Sequence, residues 1–176
     1  MKKTLSFVTL FTLLLASIYL LSGCSYESDN DIAVKNLEKL LTAIENEDHD
    51  GIRTLFAPNI IADIDSFDQS ITDLIAYYNG NYESYGSKGL GSEYDRHDGV
   101  EKKWLNMGYD ITTTMDVYRI AIVWHIQDTS NAGNVGIWSL YIIRFDDDPN
   151  PSYTYAGDGL WTNGIHIGKT YEGQLD

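Results

Sequence analysis

The sequence predicts an α+β domain in which three N-terminal helices pack on a curved antiparallel sheet. Three observations carry this. Up to about residue 78, apolar residues recur three and four apart, which is the spacing of one helix face. After about residue 102 they alternate, which is the spacing of one sheet face. Short polar clusters separate the later runs, as in hairpin connections. Helices first and consecutive strands afterwards put the helices together on one side of the sheet.

The first helix is expected over Asp31–Ile44, where Ala33, Leu37, Leu40, Leu41 and Ile44 share a face. Asn30 or Asp31 can cap it. Glu45 to Asp50 is a polar break, and Asp48 or Asp50 can start a short second helix carrying Ile52, Leu55 and Phe56. Pro58 marks its end, because the residue before a proline is pushed out of helical conformation. A third helix is expected from about Ile61 to Tyr78, striped by Ile64, Phe67, Ile71, Leu74, Ile75 and Tyr78. Asn79-Gly80 stops it.

Residues Asn81 to Gly99 are rich in Gly, Ser and Tyr and read as a loop or an irregular strand. Lys102 to Tyr109 is a strand candidate. Ile111 to Gln127 reads as one long strand, with Tyr118, Ile120, Ile122, Trp124 and Ile126 on one face. Arg119, Ala121, Val123, His125 and Gln127 take the other face. Asp128 to Gly133 is a hairpin connection. Val135 to Phe145 is apolar on both faces and reads as a central strand. Asp146 to Pro151 is a turn. Tyr153 to Ala156 and Leu160 to Ile167 complete the sheet, with Gly157-Asp158-Gly159 as a bend or bulge.

Ahead of this domain lies a cationic head, Met1-Lys2-Lys3, then an apolar run from Leu5 to Leu21 ending in Ser22-Gly23-Cys24. A cationic head, an apolar core and small residues at the exit mark a secretory signal. The Leu21-Ser22-Gly23-Cys24 ending resembles the lipobox of bacterial lipoproteins. The expected organisation is a signal peptide over 1–23, a lipid-anchored tether over 24–30 and one domain over 31–176. Two other readings compete: an ordinary secretion signal, or an uncleaved membrane helix, since a span needs roughly 17 to 25 residues. Cys24 is the sole cysteine and falls where the lipobox requires its thiol. Two acyl chains on that residue would anchor the protein stably to the cell membrane, on its extracytoplasmic face. The intact mass of protein from the membrane fraction tests this. With Cys24 lipidated, disulfides, thiolate metal sites and cysteine catalysis are excluded.

The formal charge is −14, and loss of Lys2 and Lys3 with the signal takes two more positive charges, to −16. Such a charge repels nucleic acid and anionic membrane surfaces. Solubility outside the cell explains it better than an acidic binding role does. The chain holds 13 tyrosines and 4 tryptophans, residues that suit half-buried sheets and ligand pockets alike.

Three segments together resemble a known family. They are the opening Asn36-Leu37 … Leu40-Leu41 … Ala43 to Asp48, then Ile52 … Leu55-Phe56; the run Asn134 to Ile143; and Gly157-Asp158-Gly159-Leu160-Trp161 … Gly164-Ile165. They are similar to an uncharacterised family of lipoproteins from Gram-positive bacteria, domain of unknown function 5104. The resemblance spans nearly the whole mature chain, and its second and third segments are the specific ones. It implies the cone of the nuclear transport factor 2-like (cystatin-like) superfamily, with another α+β meander as the alternative. It also implies surface anchoring and the possibility of a homodimer through the outer sheet face. It brings no activity, substrate or catalytic residue, and that superfamily holds isomerases, dehydratases and non-enzymatic binders, so fold does not decide function.

Each chemical candidate has a plain structural counterpart. His125 sits mid-strand and, on a face lining the cone, could serve as acid, base or ligand-orienting donor; otherwise it is a solvent-facing strand histidine. Asp95-Arg96-His97-Asp98 sets carboxylates beside an imidazole, so Asp95 and His97 are acid–base candidates; the competing reading is a hydrated loop. Asp146-Asp147-Asp148 and Asn150 offer hard oxygens, but without the spacing or the distal Glu of an EF-hand, so they read as a turn and no metal is expected. Trp124, Trp138, Tyr141 and Trp161 belong to neighbouring strands and, with His125, form the candidate ligand-binding set; the competing reading is core. No Ser-His-Asp pattern, phosphate loop, HExxH or dinucleotide fingerprint occurs, and no cofactor is expected. The leading expectation is therefore a surface-tethered binding domain for a small ligand or a protein partner. The alternative is a small acid–base enzyme using a His/Asp pair.

Overall fold

The structure, a computed structural model, describes residues 27–148 and 162–168. It is an α+β fold of four helices and a five-stranded, mostly antiparallel open sheet. The helices are α1 (Asp29–Glu45), α2 (His49–Leu55), α3 (Pro58–Asp63) and α4 (Phe67–Tyr77). The strands are β1 (Tyr82–His97), β2 (Val100–Thr113), β3 (Val117–Asp128), β4 (Gly136–Arg144) and β5 (Gly164–Ile167), lying side by side in chain order.

The helices form where the apolar spacing placed them, with two differences. Helix α1 starts earlier, because Ser28 rather than Asn30 or Asp31 caps it: Asp31 N donates to Ser28 Oγ at 3.2 Å and Ser28 N donates back to Asp31 Oδ2 at 3.1 Å. This reciprocal bonding satisfies amides that have no partner inside the helix. The expected third helix is two helices. Pro58, which ends the segment before it, also opens α3, since the first helical position has no use for an N–H. At Ile64 the backbone leaves the helix, and Asp65 and Ser66 form a turn before α4 begins. The apolar stripe runs through this break unaltered, so spacing alone cannot reveal it.

Of the two readings of Asn81–Gly99 the irregular strand holds, and two other strand expectations are corrected. Asn81–Gly99 is largely β1, a 16-residue edge strand. It is exposed on both faces along most of its length, so no apolar alternation betrays it. The long run Ile111–Gln127 is split by a tight hairpin between β2 and β3. Thr113 closes it: Thr113 N donates to Asp116 O at 2.9 Å, and Asp116 N donates to Thr113 Oγ1 at 2.9 Å. The last strand is parallel to β4, not antiparallel, with Ser139 opposite Gly164 and Ile142 opposite Ile167. A parallel neighbour needs a connection of about a dozen residues or more, and the stretch from Phe145 to Asn163 supplies it. The expected strand Tyr153–Ala156 and the bend at Gly157–Gly159 lie outside the described residues.

The core fills the space between the helices and one sheet face. Leu37, Leu40, Ile52, Ile71 and Leu74 from the helices meet Leu105, Met107, Ile111, Ile120, Ile122, Leu140 and Ile142 from β2, β3 and β4. All are at most 1 % exposed. Each such side chain is worth roughly 1.5–3 kcal/mol of burial. The chain between α2 and α3 is tied to the sheet as well, where Ala57 N donates to Ile137 O at 3.0 Å. Among the described residues no helix packs on the other, open face of the sheet. Among the described residues, no helix is long and apolar enough to cross a membrane.

Candidate functional site

The open face divides into three zones. At one end Arg119, only 1 % exposed, donates to Asp110 and to Asp148, each at 2.9 Å. Lys88 reaches the same Asp110 at 2.8 Å. Burial pushes the Asp110 carboxyl up, but the bonds from Arg119 and Lys88 outweigh it and hold it below the ordinary carboxylate range. Ala121, Tyr141 and Ile143 form a buried apolar patch in the middle. At the other end the side chains draw apart into a groove of about 740 Å³, within the roughly 300–1,000 Å³ usual for small-molecule sites. Glu93, Asp95, Lys102, Trp104, Asn106, Val123, His125 and Trp138 line it.

Pleating explains the selection. On β2, Leu105 and Met107 enter the core, so Lys102, Trp104 and Asn106 point the other way. On β3, Trp124 enters the core, so Val123 and His125 share the open face. Register then aligns Glu93 of β1 with Trp104 of β2, and Trp104 with His125 of β3. Trp104 and His125 lie 5.8 Å apart between ring centres with planes 32° apart; His125 and Trp138 lie 6.4 Å apart with planes 16° apart. The result is a row of three rings across three strands.

Irregular pairing on both sides of His125 builds that row. Between β2 and β3 the register slips at Lys103/Trp104, leaving Ile126 without an opposite residue. Between β3 and β4 it slips at Val123/Trp124, leaving Trp138 without one. Bulges re-aim side chains and recur beside functional sites. Here the second brings Trp138 beside His125 while Ile137 stays in the core. Burial pushes the His125 imidazole below its ordinary value; the nearby Lys102 ammonium adds to this and the Asp128 carboxylate opposes it. The ring is therefore neutral at neutral pH. Asp128 itself accepts from Asn134 Nδ2 at 2.8 Å, from Ser130 Oγ, and from the amides of Ser130 and Asn131 at 2.9 and 3.1 Å. Those bonds, Asn134's first, hold it well below the usual carboxylate range.

The structure brings Asp95, His125 and Trp138 of the sequence candidates into one groove. It separates the others. His97 is an exposed residue at the β1–β2 turn, 3.2 Å from Asp98, and does not line the groove. Trp124 lies under the helices, 7 % exposed. Tyr141 is on the open face but buried, stacked on His166 at 4.1 Å, with its hydroxyl accepting from Thr162 N at 3.1 Å. Trp161 and Cys24 lie outside the described residues. Asp148 of the acidic turn is committed to Arg119. Among the described residues no group of three His, Asp or Glu side chains gathers as a metal site.

Sequence reasoning missed Glu93, Lys102, Trp104, Asn106 and Val123. The usable signal was the two-residue step Lys102-Trp104-Asn106, which puts an aromatic and two polar groups on one strand face. The groove lining combines two indoles and a neutral imidazole with carboxylates, an amide and an ammonium. Asn106 Nδ2 donates to Glu93 Oε1 at 2.8 Å, which orients both. His125 has no hydrogen-bond partner among the described residues. A comparison with curated proteins gives no match. Residues 39–145, more than half of the chain, match the family model for a domain of unknown function (DUF5104), and the protein belongs to that family.

Proposed function

We propose that the protein is a surface-tethered lipoprotein that binds a small organic ligand, without catalysis, in the groove floored by Trp104, His125 and Trp138. The observation that carries the reading is the pair of bulges flanking His125, which spend regular pairing to set three rings in a row around unfilled space. The anchor rests on the sequence: a signal over residues 1–23 and a lipid on Cys24 would hold the domain at the extracytoplasmic face of the membrane. The helix layer on one face of the sheet is in keeping with a nuclear transport factor 2-like fold, a superfamily rich in binders. In this reading the ligand sits on the face away from the helices rather than inside a cone.

A second reading has one observation in its favour. His125, neutral and unpartnered, shares its groove with Glu93 and Asp95, which is the composition of an acid–base pair. Among the described residues no carboxylate orients the imidazole, and both acids are exposed, so the binding role is the better supported.

A thermal-shift screen of small ring compounds on the full-length protein tests the binding role. Compounds that raise the melting temperature of the wild type should fail on Trp138→Ala. Stabilisation that survives Trp138→Ala and Trp104→Ala would place binding elsewhere.

A further inference from the structure

We propose that the groove takes a neutral saccharide chain, its sugar rings laid along the Trp104–His125–Trp138 row. This rests on the groove being the binding site and names what fills it. Three observations select the ligand class. The first is shape. Successive ring centres are 5.8 and 6.4 Å apart, steps the size of one pyranose ring, and the three rings form a row rather than a cage. A single ammonium ion is held best by rings that surround it. A row suits an elongated ligand of repeated units whose apolar C–H groups contact the rings one after another.

The second observation is the mixture of groups at the edge. Glu93 and Asp95 only accept hydrogen bonds, Lys102 only donates, and Asn106 does both. Vicinal hydroxyls, each donor and acceptor at once, use all four. The third is charge. Two carboxylates in the lining and a chain carrying −14 repel an anion, which also disfavours nucleotides. The same charges attract a cation, and the one Lys102 ammonium in the wall offsets part of that pull. A neutral polyhydroxylated ligand meets no repulsion and engages the Lys102 and Asn106 donors, which a cation does not.

The test is a tryptophan-fluorescence titration of the full-length protein in detergent with cello-, chito- and xylo-oligosaccharides, and with spermidine and tetramethylammonium as cationic probes. Trp138→Ala, the milder Trp138→Phe and Asn106→Ala are compared with Met115→Ala, which alters a residue 73 % exposed at the far hairpin. At least one oligosaccharide should bind saturably. Its affinity should drop at least about tenfold in Trp138→Ala, which is ~1.4 kcal/mol. It should be preserved in Met115→Ala. It should also hold between about 0.1 and about 1 M NaCl, where the screening length falls from ~10 to ~3 Å. Binding of a cationic probe alone, weakening with salt and lost in Trp138→Ala, would overturn the saccharide and leave the groove as the site. Failure of every oligosaccharide overturns the saccharide too. If in addition no probe distinguishes Trp138→Ala or Trp138→Phe from the wild type, the groove itself is overturned.

Discussion

His125 gives the open face a pH dependence that can be assigned to one residue. Burial lowers its pKa in the folded protein below the ordinary value of 6.5, so the unfolded chain takes up the proton first as pH falls. The stability tied to its neutral form is complete above that ordinary value. It declines as pH drops toward the lower, folded value. Asp128 has the same sign in a different window: its carboxylate is bonded by Asn134, Ser130 and Asn131, so its contribution persists until pH falls below the ordinary carboxylate range. Mild acid therefore probes His125. The urea midpoint of the wild type should fall between about pH 7.5 and about pH 5.5, on either side of the imidazole range. The fall should be smaller in His125→Gln, a neutral replacement. An equal fall in both proteins, read by circular dichroism, would mean that another group sets the acid response.

Among the elements, β4 is the most constrained, because it carries the bulge and also receives the chain between α2 and α3. Gly136, at φ 136°, lies so close to that chain that a Cβ there would come 2.5 Å from Ala57 N and 2.7 Å from the Phe56 carbonyl carbon. Both atoms are backbone and cannot swing aside. Gly136→Ala should lower stability by at least about 1–3 kcal/mol, the usual cost of one strained backbone position, with the clash adding to it. A midpoint unchanged in urea would show that the crossing of chain over strand is looser than described. The same element scale shows what was legible in the sequence. Strand β3 was, because Tyr118, Ile120, Ile122 and Trp124 alternate into the helix-side core. The hairpin before it was not, because a threonine closes it without Gly, Pro or Asn. Strand β1 was hidden because water, not a core, contacts both its faces. Of the site, His125, Asp95 and Trp138 could be named singly; their meeting could not, since it depends on two register slips that no local pattern encodes.

At the scale of the whole molecule, the sheet has two unlike faces, and the proposed function puts the ligand on the one away from the helices. On the helix side, buried Leu, Ile and Met side chains from helices and sheet pack together as one cluster. The open side grades from the buried Arg119 ion pairs through the Ala121–Tyr141–Ile143 patch to the groove. Trp124 and Trp138, candidates together in the sequence, part company: Trp124 is a buried member of the core, while Trp138 packs against that core and also lines the groove. The most direct measurement uses that difference: the indole N–H resonances of the full-length protein, assigned by single Trp→Phe variants, followed while a compound that raises the melting temperature is added. Trp104 and Trp138 should shift together while Trp124 holds still. Movement of Trp124 with Trp104 and Trp138 unmoved would put the ligand between helices and sheet, and the open groove would lose its role.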